Sequence, residues 1–220
     1  SYQATYLLFG GIALVFTIAL ALSFSTFVPP VEQSRRLILR KRYLLYYALT
    51  FFSGARRQIF VVFAGFLMVE KFNYSVADVS ALFMINYVFN WFFAAKIGKF
   101  IGRVSERYIL SFEYIGLTIL FILYGLVENA NLAAILYIVD HLFFALAIAI
   151  KTYFQKIALP EDIASSAGVS FTINHIAAVV IPALLGMIWI INASWVFYIG
   201  AGFACCSLLL TFLMPLAPKL

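Results

Sequence analysis

The chain has 220 residues, 65% of them hydrophobic and 11% charged, with a mean hydropathy of +1.03. Soluble domains carry about 25% charged residues, so this composition cannot cover a water-facing surface. It excludes a cytosolic enzyme, a nucleic-acid-binding domain and a disordered tail. The net charge of +6 reads instead as the basic marking of loops that stay in the cytoplasm. Cys205 and Cys206 stand side by side in an apolar run and read as small hydrophobes.

A bilayer crossing needs roughly 20 mostly apolar residues, and the chain offers seven such runs in order. They cover about 5–29, 43–70, 76–97, 108–127, 131–155, 164–190 and 194–216. The second is interrupted by Arg56 and Arg57. The charge-free stretch between Asp162 and Lys219 is too long for one crossing, and Asn192, Ala193 and Ser194 supply the turn that divides it. The runs are long and lack period-2 alternation, so they predict helices rather than barrel strands.

Lys and Arg fix the expected orientation. Arg35, Arg36, Arg40, Lys41 and Arg42 fall in the first connection; Lys96, Lys99, Arg103 and Arg107 fall in the third. Lys151 and Lys156 end the fifth run, and Lys219 follows the seventh. The opposite side holds only Lys71. The N-terminus of this chain is therefore expected outside and its C-terminus in the cytoplasm. The first residue is Ser1 and no signal-peptide pattern opens the chain. With an odd number of helices, this leads to the expectation that the chain is the later part of a longer membrane protein.

The connection after the third run reads Gly98-Lys99-Phe100-Ile101-Gly102-Arg103-Val104-Ser105-Glu106-Arg107. It resembles the cytoplasmic signature G-x-x-x-D-R-x-G-R-R of the major facilitator superfamily. Gly98, Arg103 and Arg107 match; Gly102 stands where the family has Asp, and Ser105 where it has its second Gly. The stretch from Pro160 to Gly168, followed by Asn174, Pro182 and Gly186, looks like that family's entry into its eleventh helix. Small residues there (Ala164, Ala167, Gly168, Ala177, Ala178) would let neighbouring backbones approach closely. The resemblance implies three segments. Residues 1–30 would hold the last helix of an N-terminal bundle missing from this sequence, 31–42 a basic cytoplasmic loop, and 43–220 the C-terminal six-helix bundle. It implies an all-α polytopic protein matching helices six to twelve of the facilitator fold. It also implies a secondary transporter with its site near the bilayer midplane.

Ionisable groups at membrane depth cost about 2.5–3.5 kcal/mol on insertion scales and usually face a cavity or a partner. Arg56 and Arg57 lie about 20 Å into the second run at 1.5 Å per residue, and guanidinium binds carboxylate or phosphate bidentately. They are candidates for holding an anionic group. The alternative is that they pair with Asp140 or Glu113 and only hold the bundle together. Adjacent residues point about 100° apart on a helix, so both cannot face one way. Asp140 and His141, also near mid-depth, are candidates for carrying a coupling proton; His175 is a third. Asn174 beside it, and Asn86 and Asn90 at i, i+4 spacing, are candidate substrate contacts or interhelical polar glue. Glu113 lies six residues past Arg107 and reads as a partner for the loop arginines. The basic stretch 35–42 reads as topology and headgroup attraction.

Two histidines without a Cys or carboxylate cluster at ligand spacing give no metal or haem site, and no cofactor is expected. A retinal protein needs a lysine in its last helix, and residues 194–216 have none. Glu106-Arg107-Tyr108 has the form of the receptors' Asp/Glu-Arg-Tyr mark, but their Asn-Pro-x-x-Tyr mark is absent. The expected function is a secondary transporter of a small anionic or zwitterionic solute, ion-coupled, in a plasma or bacterial inner membrane. Its expected partners are the lipid bilayer, the missing N-terminal bundle and the solute, with no nucleic acid. The rival readings are a facilitator-fold scaffold without transport and a seven-helix receptor-like protein.

Overall fold

A computed structural model describes residues 2–23, 31–34 and 36–215. Arg35 and Lys219, two of the residues expected on the cytoplasmic side, lie outside the described residues, as do the ends of the first and last predicted runs. Among the described residues the chain is all helical, and seven helical spans are long and apolar enough to cross a membrane. The chain divides into two units, residues 1–33 and residues 34–220. The first holds α1, Tyr2–Ser23, whose polar hydroxyls fold back on its own carbonyls (Thr17 to Ala13, Ser23 to Ala19).

The second unit holds six spans. The first, Lys41–Glu70, opens with a 3-10 turn and continues as α2, Leu44–Gln58. It widens into a π-helical segment, Ile59–Ala64, and closes with α3, Gly65–Glu70. Asn73 turns the chain with a left-handed φ of 54°. Ser75 then opens α4, Val76–Ile101, with a reciprocal capping box to Asp78. This box satisfies N-terminal amides that the helix cannot. Next comes α5, Glu106–Leu126. The following span consists of α6, Ala130–Phe144, a 3-10 break at Ala145–Ala147, and α7, Ile148–Ile157. The last two spans are α8, Ile163–Ile191, and α9, Ala193–Thr211. Asn192 alone divides them, and its side chain accepts from the Ser194 amide at 2.9 Å to start α9.

The predicted spans thus stand, with small corrections. Lys96 and Lys99 belong to α4, Arg103 to the turn and Arg107 to the start of α5, rather than to one long loop. Two of the small residues expected to pack closely do not: Ala167 is exposed, and a Cβ on Gly168 would meet only the tip of Leu37. The close approach is between α2 and α8 further along. A Cβ on Gly54 would fall 2.6 Å from Asn174 Oδ1 and 3.4 Å from Ala177 Cβ. Lipid offers no hydrophobic drive for helices to pair, so small residues and interhelical polar contacts carry the packing. On the other flank α5 packs along α9, with Gly200 against Phe121 and Ile59.

The basic stretch before α2 does more than mark topology. Arg40 grips Asp162 with two bonds (Nε–Oδ2 2.6 Å, Nη2–Oδ1 3.0 Å). Tyr43 donates to the same carboxylate at 2.7 Å and accepts from the Leu159 amide at 3.0 Å. Arg42 reaches the Ile157 carbonyl at 2.6 Å, and the Ser34 amide reaches the Glu161 carbonyl at 3.0 Å. The hydrogen bond to Asp162 holds the Arg40 pKa above its ordinary value, so its charge is permanent. This staple ties the start of α2 to the α7–α8 corner. Lys156 pairs with Glu106 of α5 at 2.6 Å at the same end.

If the staple holds residues 36–42 in place, Asp162→Asn frees their trypsin sites. The expected result is several-fold faster tryptic cleavage after Arg36, Arg40, Lys41 or Arg42 in detergent. Equal rates in the variant and the parent would show that the pair does not restrain the segment.

Candidate functional site

Arg56 and Arg57 have opposite fates. Arg56 is fully buried. Its Nε donates to the Phe52 carbonyl one turn back at 3.2 Å, and its guanidinium lies over the Tyr114 ring, 4.3 Å from the centroid. Nη2 stands 3.8 Å from Oε1 of Glu113, itself fully buried on α5. The Glu113 partner is therefore this interior arginine and not the loop arginines expected from its position. Asp140, also fully buried, lies in the field of the same guanidinium. One cation thus faces two carboxyl groups, from α5 and α6. Among the described residues, both oxygens of each carboxyl group have no hydrogen-bond partner, and the same holds for the hydroxyls of Tyr114, Tyr124 and Tyr137. Removing one member of a buried pair typically costs about 3–5 kcal/mol, because it strands the other charge.

Arg57, about 100° further round the helix, is exposed to a cavity of about 440 Å³. The cavity is walled by α2, the π segment, α4, the α6–α7 break and α8. Of the expected site residues, it gathers Arg57, Asn90, His141 and Asn174. His141 lies in the field of Arg57 and in ring contact with Phe60 (6.0 Å) and Tyr87 (6.2 Å). Asn174 donates its Nδ2 to the Ser170 carbonyl at 3.0 Å, which leaves its Oδ1 toward Gly54. Ser170 in turn hydrogen-bonds Tyr46 Oη at 2.8 Å, and both line the wall.

Arg56, Asn86, Asp140 and His175 are not on this wall. Asn86 is fully buried, with neither amide atom hydrogen-bonded among the described residues. His175 is exposed, bonded through Nδ1 to its own helix at Phe171 O and stacked on the Phe171 ring at 3.9 Å. It does not meet His141. The loop residues Gly98, Arg103 and Arg107 lie at the α4–α5 turn, away from the cavity. Arg107 caps the Met214 carbonyl at 3.4 Å and covers Phe212, and a Cβ on Gly98 would meet nothing.

Two features of the wall escaped sequence reasoning. One is Lys151 of α7, read only as a topology marker, which lines the cavity. The other is the pair of helix irregularities that frame it. The π segment contributes Phe60 and Val61; the 3-10 break and its flanks contribute Phe144, Ala145, Ala147 and Ile148. Such local unwinding is frequent at functional sites, and membrane transporters place broken helices at theirs. No protein family model, curated protein or solved structure matches this chain.

The division between wall and seam on α4 is directly testable. With Cys205 and Cys206 replaced by serine, Asn90→Cys should react readily with a membrane-impermeant methanethiosulfonate, and Asn86→Cys should stay unmodified. Equal labelling of the two would contradict the placement.

Proposed function

We propose that this chain is part of a secondary transporter of the major facilitator type, carrying a small organic anion by alternating access. The observation that carries the reading is the cavity. It carries polar side chains on a largely apolar wall, and it is framed by irregular helices within a set of membrane-crossing spans. It contains the guanidinium of Arg57 with no Asp or Glu on its wall among the described residues. A cation kept at that depth costs free energy unless a partner or a solute neutralises it. Among the described residues Arg57 has no ion-pair partner, whereas Arg56 does.

In this reading Arg57 binds the anionic group, and Asn90, Asn174 and His141 complete its hydrogen bonds. The Gly98–Arg107 turn and the Arg40–Asp162 staple lie at the cytoplasmic end. A second helical bundle covers the exposed faces of α4 and α8, and rocking between the bundles exposes the cavity to each side in turn. Asp140 and Glu113, sharing one guanidinium, are the groups that hold a coupling proton.

The test is counterflow of radiolabelled organic anions in liposomes reconstituted with protein made from its native gene. Arg57→Gln is expected to lower flux by at least about tenfold with the protein still monodisperse. Asp140→Asn is expected to retain counterflow but lose pH-driven accumulation. Wild-type flux in Arg57→Gln would overturn the assignment of the anion site, and absence of flux for every anion would overturn the transporter reading.

A further inference from the structure

We infer that the cavity is built for a solute with two anionic groups, bound between Arg57 and Lys151. The inference rests on the anion-carrier reading and deepens it. Both cations line the same cavity, and neither makes an ion pair among the described residues. Four other basic side chains near this end have partners: Arg40 on Asp162, Lys156 on Glu106, Arg42 on the Ile157 carbonyl and Arg107 on the Met214 carbonyl. Arg57 and Lys151 are distinguished by facing a shared space without a counter-charge.

Their levels differ. The staple puts the start of α2 beside the end of α7. From that end Arg57 lies thirteen residues past Leu44, about 20 Å at 1.5 Å per residue, and Lys151 six residues before Ile157, about 9 Å. The Cα atoms are thus separated by about 11 Å in depth, and two long side chains shorten the gap between the charges. An elongated anion with a charge at each end can meet both at once. The wall also offers aromatic faces (Phe60, Tyr87, Phe144) for an apolar body and Asn90 and Ser170 for hydrogen bonds.

The same lining disfavours a zwitterion. An ammonium group needs a carboxylate or a cage of acceptors, and no Asp or Glu lines the cavity among the described residues. Two cations facing one solute instead repel a bound ammonium group. A cavity of about 440 Å³ falls within the range of small-molecule sites.

The experiment is equilibrium dialysis of the detergent-purified protein, at neutral pH and fixed ionic strength, with two matched pairs: succinate against butyrate, and terephthalate against benzoate. The expected result is a Kd at least about tenfold lower for the dianion in one pair or both. Lys151→Gln should weaken the dianion at least about tenfold more than its monoanion, and Lys151→Arg should keep the preference. Equal binding of dianion and monoanion in both pairs would overturn the inference while leaving the anion-carrier reading standing. So would a dianion preference that survives Lys151→Gln. If none of the four anions binds, the anion-carrier reading falls and the inference with it.

Discussion

The bundle is organised around one interior contact, the guanidinium of Arg56 held against Glu113 and the face of Tyr114. In hydrocarbon such a charge has nowhere else to go, so its partner fixes the rotation of α2 about its own axis. Once Arg56 is committed to α5, its neighbour Arg57 must point about 100° away, and that direction is the cavity. The adjacent arginines are thus a single device in which one charge anchors the helix and the other is presented. The anchor is dry. Both carboxyl groups near Arg56 lack hydrogen bonds among the described residues, which makes this seam the place where changes in protonation or in packing have the largest effect on the fold.

The irregular backbone extends the same logic. A π turn begins three residues after Arg56, and a 3-10 break falls five residues after Asp140. Both lie beside the cavity, and both follow directly on the buried polar seam. Regular helices would continue the apolar packing of α2 and α6 through this level. The wider and tighter turns instead present Phe60, Val61, Ala145, Ala147 and Ile148 to the cavity. At the α7–α8 corner, by contrast, the contacts are strong and conventional: a bidentate arginine, a tyrosine and a lysine–glutamate pair lock it. A stapled end and a looser middle give the unit a rigid base beneath an adaptable site.

The spans were legible because their signal is length and hydropathy, which a bilayer imposes residue by residue. Helix phase was not. Asn86 and Asn90 share a face by spacing, yet four residues advance a helix by about 400°, a 40° offset. That offset is enough to put one amide in the α4 seam and the other on the cavity wall. The π segment shifts the phase again and leaves no mark in composition. Glu113 was assigned by sequence distance to the loop arginines; it is about 10 Å along α5, and the long Arg56 side chain reaches it there. Lys151 was absorbed into the positive-inside count, a rule that says which side a residue is near and nothing about what it faces. Of the small residues expected to permit close packing, Ala177 does so against Gly54 and Gly168 does not, because small residues permit contact without dictating it.

The most direct measurement is a double-mutant cycle on the anchor, with thermal unfolding in detergent of Arg56→Met, Glu113→Leu and the double variant. If the ion pair organises the bundle, the combined loss falls short of the sum of the single losses by at least about 1 kcal/mol, the coupling expected of residues in contact. Losses that add to within about 0.3–0.5 kcal/mol, as for independent sites, would mean that Arg56 and Glu113 do not depend on one another, and the division of labour between Arg56 and Arg57 would have no physical basis.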